Sequence, residues 1–207
     1  TNPNAGYAQS LRELAEGYLA RIRETLEERQ LPSQFSLMGW SVGGTAAVEV
    51  AALAETAGYD VQQVTLLDAY PVEQWQGIPE PDEQESFRAL LRMGGLPEVS
   101  AQTVLDLPQT LERLRDAGSA MGYLPEDKLE VCLESMRASA ALMRGSNHLN
   151  FGGKVVLIGV SHDDQPYLDA HGWEPHAGSF RTVTLKNGTH PDLVNPERIP
   201  EIIAEAF

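Results

Sequence analysis

Near the start of the chain, apolar residues recur at steps of three and four positions, which is the period of an amphipathic helix. Ser10 is followed three residues later by Glu13, a capping-box pattern, so this helix is predicted to run from about Ser10 to Arg29. The stripe that would pack against the rest of the protein consists of Leu11, Leu14, Ala15, Tyr18, Leu19, Ile22 and Leu26.

A strand, a helix and a second strand are predicted next. Residues 34–38 have the length and apolar content of a buried strand, and the alanine-rich segment 45–57 predicts a helix that ends before Gly58. The β-branched run 61–67 predicts the second strand. Two strands joined through a helix favour a parallel sheet.

The middle of the chain has a different character, because prolines there separate several helical stretches. These stretches lie near 83–93, 108–118 and 125–144, and they predict a helical insertion over about 75–146. Strand patterns return at 154–160 and 180–185, and an amphipathic helix is predicted at 196–207. The whole chain, 1–207, is therefore predicted to be one α/β domain, with a mostly parallel sheet flanked by helices.

Composition and charge narrow the possible partners. The 207 residues are 42% apolar, and 30 acidic residues against 15 basic ones give a formal charge of -15, which repels nucleic acid and anionic lipid. No apolar run is long enough for a membrane span and the first residues lack a signal-peptide pattern, so we predict a cytoplasmic protein without a membrane partner. The single cysteine, Cys132, is predicted to be a buried structural thiol.

A nucleophile motif stands between the first predicted strand and the helix that follows it. The pattern G-x-S-x-G is matched by Gly39-Trp40-Ser41-Val42-Gly43. Small residues on both sides of the serine permit the sharp turn that exposes its hydroxyl, and the required strand and helix flank the motif. We predict Ser41 as a nucleophile and the backbone N–H of Val42 as an oxyanion donor.

A serine nucleophile needs a histidine base and an acid that orients it. Among the five histidines, His190 is favoured because it follows the last predicted strand, where reactive groups gather in a parallel sheet. Asp68 ends the strand after the elbow helix and is the favoured acid, but Asp163 and Asp164 follow the next strand and remain alternatives. The order Ser41, Asp68, His190 is that of α/β-hydrolases.

With these residues in place, the chain resembles a thioesterase domain of the nonribosomal peptide synthetase and polyketide synthase type. The resemblance covers nearly the whole chain. It is carried by the elbow at 39–44, by the strand end Leu66-Leu67-Asp68-Ala69-Tyr70, and by Gly188-Thr189-His190, which is similar to the family's catalytic-histidine loop. The insertion at 75–146 corresponds to the family's mobile lid.

The resemblance implies a reaction and a partner. An acyl or peptidyl carrier protein, expected to be adjacent in the same polypeptide, would present a phosphopantetheine thioester to Ser41. Water, or the acyl chain's own amine or hydroxyl, would then release the chain from the acyl-enzyme. No metal and no bound cofactor are expected. Two other functions fit the same residues, namely a stand-alone esterase or editing thioesterase, and a non-catalytic binding domain.

The family also has two or three strands before the helix that begins near Ser10, and a loop there normally supplies the second oxyanion N–H. We expect those N-terminal strands to be absent from this chain. The sequence leaves three explanations open. The chain is a fragment, a segment has been omitted from it, or the protein uses a different oxyanion donor.

Overall fold

The computed structural model describes residues 8–145, 147–161, 168–186 and 188–206. The chain divides into two compact units. The first, here called the sheet unit, consists of Ala8–Gln76 and Leu142–Phe207, and the second, the helical unit, contains Gly77–Ala141. The helical unit lies within the segment predicted as a helical insertion.

The sheet unit is built on four parallel strands that lie side by side in their chain order. They are β1 (Gln34–Trp40), β2 (Asp60–Leu67), β3 (Phe151–Gly159) and β4 (Ala177–Thr184). The parallel sheet predicted from the strand–helix–strand pattern is confirmed. Because all four strands run in one direction, their carboxyl ends share one edge of the sheet, and Ser41 and Asp68 stand at that edge directly after β1 and β2.

Strands β3 and β4 begin three residues earlier than the sequence predicts, at Phe151 and Ala177. Glycines near both starting points weaken the strand pattern, since they add no side chain to pack. They are needed for close backbone contact, because a Cβ atom on Gly178 would lie 1.8 Å from the carbonyl oxygen of Gly152. The early pairing of these strands is therefore a tertiary effect.

Alternating side chains on the strands separate the core of the sheet unit into two layers. On β3, Val155 and Leu157 pack on the face covered by α1 (Leu11–Glu28) and α2 (Val42–Thr56). Their neighbours Val156 and Ile158 pack on the other face, against a cluster that includes Ile202 of α6 (Ile199–Ala206). Both faces are thus buried, as a parallel sheet requires.

Helix α1 begins where its cap predicts. Ser10 has extended backbone dihedrals, and its hydroxyl accepts a hydrogen bond from the N–H of Glu13 at 3.1 Å. The Glu13 carboxylate in turn accepts from the N–H of Gln9 at 2.8 Å. The capping pattern therefore satisfies two backbone donors at the helix start.

The helical unit has a core of its own. Its helices are α3 (Glu83–Met93), α4 (Leu107–Asp116) and α5 (Glu126–Gly145), the last of which extends into the sheet unit's second segment. Asp82 and Asp106 cap the first two helices through their side chains. Cys132 is partly buried against this core, whose fully enclosed members include Leu90, Leu114 and Leu129. Within the described part of the chain, every helix is too short or too polar to cross a membrane.

Candidate active site

Ser41 lies in a strained turn between β1 and α2. Its φ is 54° and its ψ is -131°, in a region that non-glycine residues rarely adopt. The turn is held by a hydrogen bond from the Ser41 N–H to the carbonyl oxygen of Leu67 on β2, at 3.0 Å. The side chain of Ser41 makes no capping bond to α2, so its hydroxyl is not engaged by its own helix.

The glycines that permit this turn are not quite those of the motif. A Cβ atom on Gly39 would lie 2.3 Å from the carbonyl oxygen of Gly43, and one on Gly44 would lie 2.5 Å from the Cβ of Ala69. Gly43, the last position of G-x-S-x-G, faces open space instead. The close contact between the elbow and the strand end at Ala69 therefore depends on Gly44.

Helix α2 starts at Val42, directly after the serine. The carbonyl oxygen of Ser41 accepts from the N–H groups of Gly44 at 2.9 Å and Thr45 at 3.3 Å, which closes the first turn. The N–H of Val42 belongs to the helix start, where backbone donors lack intrahelical acceptors and carry a partial positive charge. Such a donor beside the serine can stabilise an oxyanion. This role of Val42 stays a prediction.

Asp68 is buried at the end of β2, with 3% of its surface exposed, and its φ of 47° is also left-handed. Its Oδ2 lies 2.6 Å from Nδ1 of His190. Its Oδ1 accepts from the hydroxyl of Tyr70 at 3.0 Å and from the N–H of Val160 at 3.2 Å. A carboxylate held in this way can orient an imidazole ring and stabilise its protonated form.

His190 begins a short helix, His190–Val194, after β4. The indole of Trp40 stacks on its ring with 4.7 Å between centroids, and the indole N–H donates to the carbonyl oxygen of His190 at 3.0 Å. With Nδ1 directed to Asp68, the neutral ring presents Nε2 as a proton acceptor. The side chain is 33% exposed, against 1% for that of Asp68, so this histidine is accessible.

The loop that carries His190 is fastened by its neighbours. Thr189 and Asp192 form a reciprocal capping box, in which the Asp192 carboxylate accepts from the hydroxyl and the N–H of Thr189, each at 2.7 Å. These hydrogen bonds hold the pKa of Asp192 below its usual value. The backbone on both sides of the imidazole is thereby defined.

The structure brings Asp68 and His190 into contact and places Ser41, Asp68 and His190 in one unit, at the carboxyl edge of one sheet. Asp163 and Asp164, the alternative acids, lie outside the described residues. The sequence analysis did not identify Tyr70 as a neighbour of the predicted acid or Trp40 as a neighbour of the predicted base. The amino-acid sequence contains only a weak indication of these contacts, because each residue stands within two positions of a predicted site residue.

His148 lies in the loop between α5 and β3, but it is not a solvated loop residue. This side chain is fully buried in the sheet unit, where Nδ1 lies 2.8 Å from Oε1 of Glu49 and Nε2 accepts from the N–H of Val72 at 3.1 Å. A signal existed in α2, because Glu49 is a charged residue in a helix whose other central positions are apolar. Its histidine partner is 99 residues away and could not be identified from the sequence.

Comparisons with known proteins agree with this architecture. The sequence model of the family described as "Thioesterase domain" matches residues 3–207. The chain is 26% identical over 94% of its length to the dimodular nonribosomal peptide synthase of Bacillus subtilis, and 29% identical over 95% to enterobactin synthase component F of Escherichia coli K12. It spans 8% and 14% of the lengths of these two relatives.

A solved structure shares the fold. The NocB thioesterase domain from the nocardicin cluster superposes with a TM-score of 0.65 at 20% identity, over 99% of this chain and 75% of that one. The thioesterase α/β-hydrolase fold predicted from the sequence is confirmed by this match and by the parallel sheet.

Proposed function

The chain belongs to the thioesterase-domain family, and from that premise we propose that it is a serine thioesterase that releases an acyl or peptidyl chain from a carrier-protein phosphopantetheine thioester. The observation that carries the proposal is the 2.6 Å contact between Asp68 and His190, in the same unit as a serine in a strained elbow. The Bacillus subtilis relative is a dimodular nonribosomal peptide synthase of which this chain spans 8%, and on that basis an adjacent carrier protein is the proposed partner.

The acylation half-reaction follows from the roles that these atoms can take. Nε2 of His190 removes the proton from the Ser41 hydroxyl as its oxygen attacks the thioester carbonyl. The negative charge that develops on the carbonyl oxygen is stabilised by the N–H of Val42 at the start of α2. The carbon–sulfur bond then breaks, the phosphopantetheine thiol leaves with the proton from His190, and the acyl group remains on Ser41.

The second half-reaction repeats the same proton transfers. His190 deprotonates a water molecule, or an amine or hydroxyl of the acyl chain itself, and returns the proton to the Ser41 oxygen as the ester breaks. Water gives a free acid, whereas an internal nucleophile gives a lactam or a lactone. The helical unit corresponds by its place in the chain to the family's lid, and we propose that it biases this choice by limiting access of water.

The different exposures of Asp68 and His190 support the roles proposed for them. Asp68 is enclosed and is hydrogen-bonded to Tyr70, Val160 and His190, so its carboxylate is fixed and cannot reach a substrate. His190 is partly exposed and can reach one. The strained backbone of Ser41 supports the nucleophile assignment, because strain of this kind persists where the surrounding structure imposes it and is common at reactive residues.

Covalent labelling tests the proposal without knowledge of the natural substrate. The native chain, Ser41→Ala and His190→Ala would each be treated with a fluorophosphonate and examined by intact mass. We expect one adduct on the native chain, none on Ser41→Ala and strongly slowed labelling of His190→Ala. Ser36→Ala, an exposed serine on β1, is the matched control and should label like the native chain. An adduct that persists in Ser41→Ala would refute the nucleophile assignment.

Turnover of a thioester tests the finer claim. An acyl N-acetylcysteamine thioester mimics the end of the phosphopantetheine arm, and the same acyl group on oxygen gives a matched ester. Faster release from the thioester, together with a mass increase of the native chain equal to the acyl group, supports the thioesterase mechanism. Release without any acyl-enzyme, when labelling also fails, would favour a different chemistry.

A further inference from the structure

Tyr70 is a buried phenol that stands two residues after the proposed acid. It is 5% exposed, and its hydroxyl donates to Oδ1 of Asp68 at 3.0 Å. The other carboxylate oxygen, Oδ2, faces His190 at 2.6 Å. The two oxygens of Asp68 therefore have different partners, and Tyr70 is bound to the one that does not face the base.

The backbone around Tyr70 is held by other groups. The indole N–H of Trp173 donates to the carbonyl oxygen of Ala69 at 2.8 Å, and the hydroxyl of Thr45 donates to the carbonyl oxygen of Tyr70 at 3.1 Å. These bonds fix the course of the chain through residues 69 and 70 without help from the phenol oxygen. What the Tyr70 hydroxyl adds is an interaction with the carboxylate itself.

The Tyr70 hydroxyl can restrain rotation of the Asp68 side chain. Oδ1 accepts from both Tyr70 and the N–H of Val160, and the Val160 donor lies on the neighbouring strand's continuation, at 3.2 Å. Hydrogen bonds to a charged acceptor are stronger than bonds between neutral groups. Two donors on one oxygen from different directions hold the plane of the carboxylate, so that Oδ2 stays directed at Nδ1 of His190.

We propose that Tyr70 is a positioning residue that orients Asp68 toward His190 and so acts on catalysis through the acid. This inference rests on the proposed function, since it assigns Tyr70 a part in that same site. Burial, followed by the nearby Asp68 carboxylate, raises the pKa of Tyr70 above its ordinary value, so the phenol remains a donor over the whole range of assay pH.

The test is a double-mutant cycle with the rate of fluorophosphonate labelling as its readout. Tyr70→Phe removes only the hydroxyl and should slow labelling about tenfold. In an Asp68→Ala background the same change should alter the rate by less than about twofold, because the group through which Tyr70 acts is gone. Thr45→Val is the matched control, since it removes a neighbouring buried hydroxyl that bonds the backbone of Tyr70. Its effect on the rate should be the same in both backgrounds.

The pH dependence of labelling distinguishes positioning from simple packing. Without the Tyr70 hydroxyl the Asp68 carboxylate is less firmly directed at Nδ1 of His190, so its stabilisation of protonated His190 should weaken. The acidic limb of the rate profile should therefore move to lower pH in Tyr70→Phe and stay in place in Thr45→Val. The downfield proton resonance of His190 Nδ1–H should shift in the first variant only.

The outcomes separate this inference from the function on which it rests. Failure of the native chain to label at Ser41 would overturn the proposed function and the inference with it. Normal labelling with an equal effect of Tyr70→Phe in both backgrounds would overturn the positioning role alone. If Tyr70→Phe does not fold, 3-fluorotyrosine at position 70 keeps the ring and strengthens the donor, and an unchanged Nδ1–H resonance would then contradict the inference.

Discussion

Two of the carboxylate–histidine pairs in the sheet unit have a buried carboxylate and look alike in their contacts, but they differ in their surroundings. Asp68 and His190 lie 2.6 Å apart, and Glu49 and His148 lie 2.8 Å apart, with each carboxylate side chain 1% exposed. The His190 side chain is 33% exposed, whereas that of His148 is completely enclosed. Each imidazole also has a tryptophan neighbour, Trp40 in the first pair and Trp173 in the second.

The two pairs differ in whether Nε2 of the histidine has a hydrogen-bonding partner. A free Nε2 allows proton transfer, whereas a bonded Nε2 helps to hold chain segments together. Nε2 of His148 accepts from the N–H of Val72, so both of its nitrogens are occupied. Among the described residues, no hydrogen bond occupies Nε2 of His190. Glu49 also accepts from the N–H of Leu149 at 2.8 Å. The buried pair therefore links two segments to α2. One contains Val72 and precedes the helical unit in the chain, and the other contains Leu149 and follows it.

A carboxylate–histidine contact does not by itself mark an active site. A proton-transfer role requires a free nitrogen and access for substrate, whereas both nitrogens of an enclosed structural histidine need hydrogen-bonding partners. We therefore expect changes in the accessible pair to affect activity and changes in the enclosed pair to affect stability.

The largest expected effect is on the accessible pair. His190→Ala should lower the rate of fluorophosphonate labelling by about a thousandfold or more, because the serine loses its base. The free energy of unfolding in urea should fall by about 1–3 kcal/mol, less than in His148→Ala, because the removed ring is partly exposed and water can reach Oδ2 of Asp68 in its place. Labelling of this variant at the native rate would contradict the role proposed for His190.

The reverse is expected of the enclosed pair. His148→Ala leaves a buried Glu49 carboxylate without its partner, which should lower the free energy of unfolding by roughly 3–5 kcal/mol. Labelling per folded molecule should stay within about threefold of the native rate. The exposed pair of His171 and Glu174, 2.7 Å apart, provides the control, because His171→Ala should change stability by about 0.5 kcal/mol or less.

Substitutions in the elbow should have an intermediate effect on labelling. Gly44→Ala forces a Cβ atom against Ala69, the residue after Asp68, and should slow labelling by about tenfold to a hundredfold, in proportion to the displacement of Ser41 from the base. Gly43→Ala adds a methyl group in open space and should label within about twofold of the native chain. Equal rates for the two variants would contradict the contact assigned to Gly44.

The smallest effect is a pH dependence in the loop that carries His190. The pKa of Asp192 is lowered by the bonds from Thr189, so these bonds stabilise the fold above the ordinary aspartate pKa, and that stability is lost as the pH falls through the lowered value. Thr189→Val removes the side-chain bond. It should lower stability by about 0.5 kcal/mol at neutral pH and by less at about pH 3 in urea titrations, because Asp192 is exposed to solvent. A stability difference between the native chain and Thr189→Val that increased as the pH fell would contradict this prediction.

Patterns that are local in the chain were predicted well. Helix α1 and its Ser10 cap, the strand–elbow–helix around Ser41, and the end of β2 at Asp68 all depend on residues within a few positions of one another. Amphipathic period, capping and turn chemistry act over that distance, which is why they can be read from a sequence. Strands β3 and β4 were predicted to begin three residues after their observed starts. The glycines at these starts allow close contact between the two strands, which a local sequence pattern does not indicate.

The order of the elements, the serine elbow and the candidates for the acid and the base could be predicted from the amino-acid sequence. The folded structure was needed to show that Asp68 contacts His190 across 122 positions, that Tyr70 and Val160 bind the other carboxylate oxygen, and that Glu49 is enclosed with His148. The physical reason is that a carboxylate and an imidazole carry the same chemistry in any sequence. Their burial, and the partner of the second nitrogen, depend on chain segments that come together only when the sheet forms.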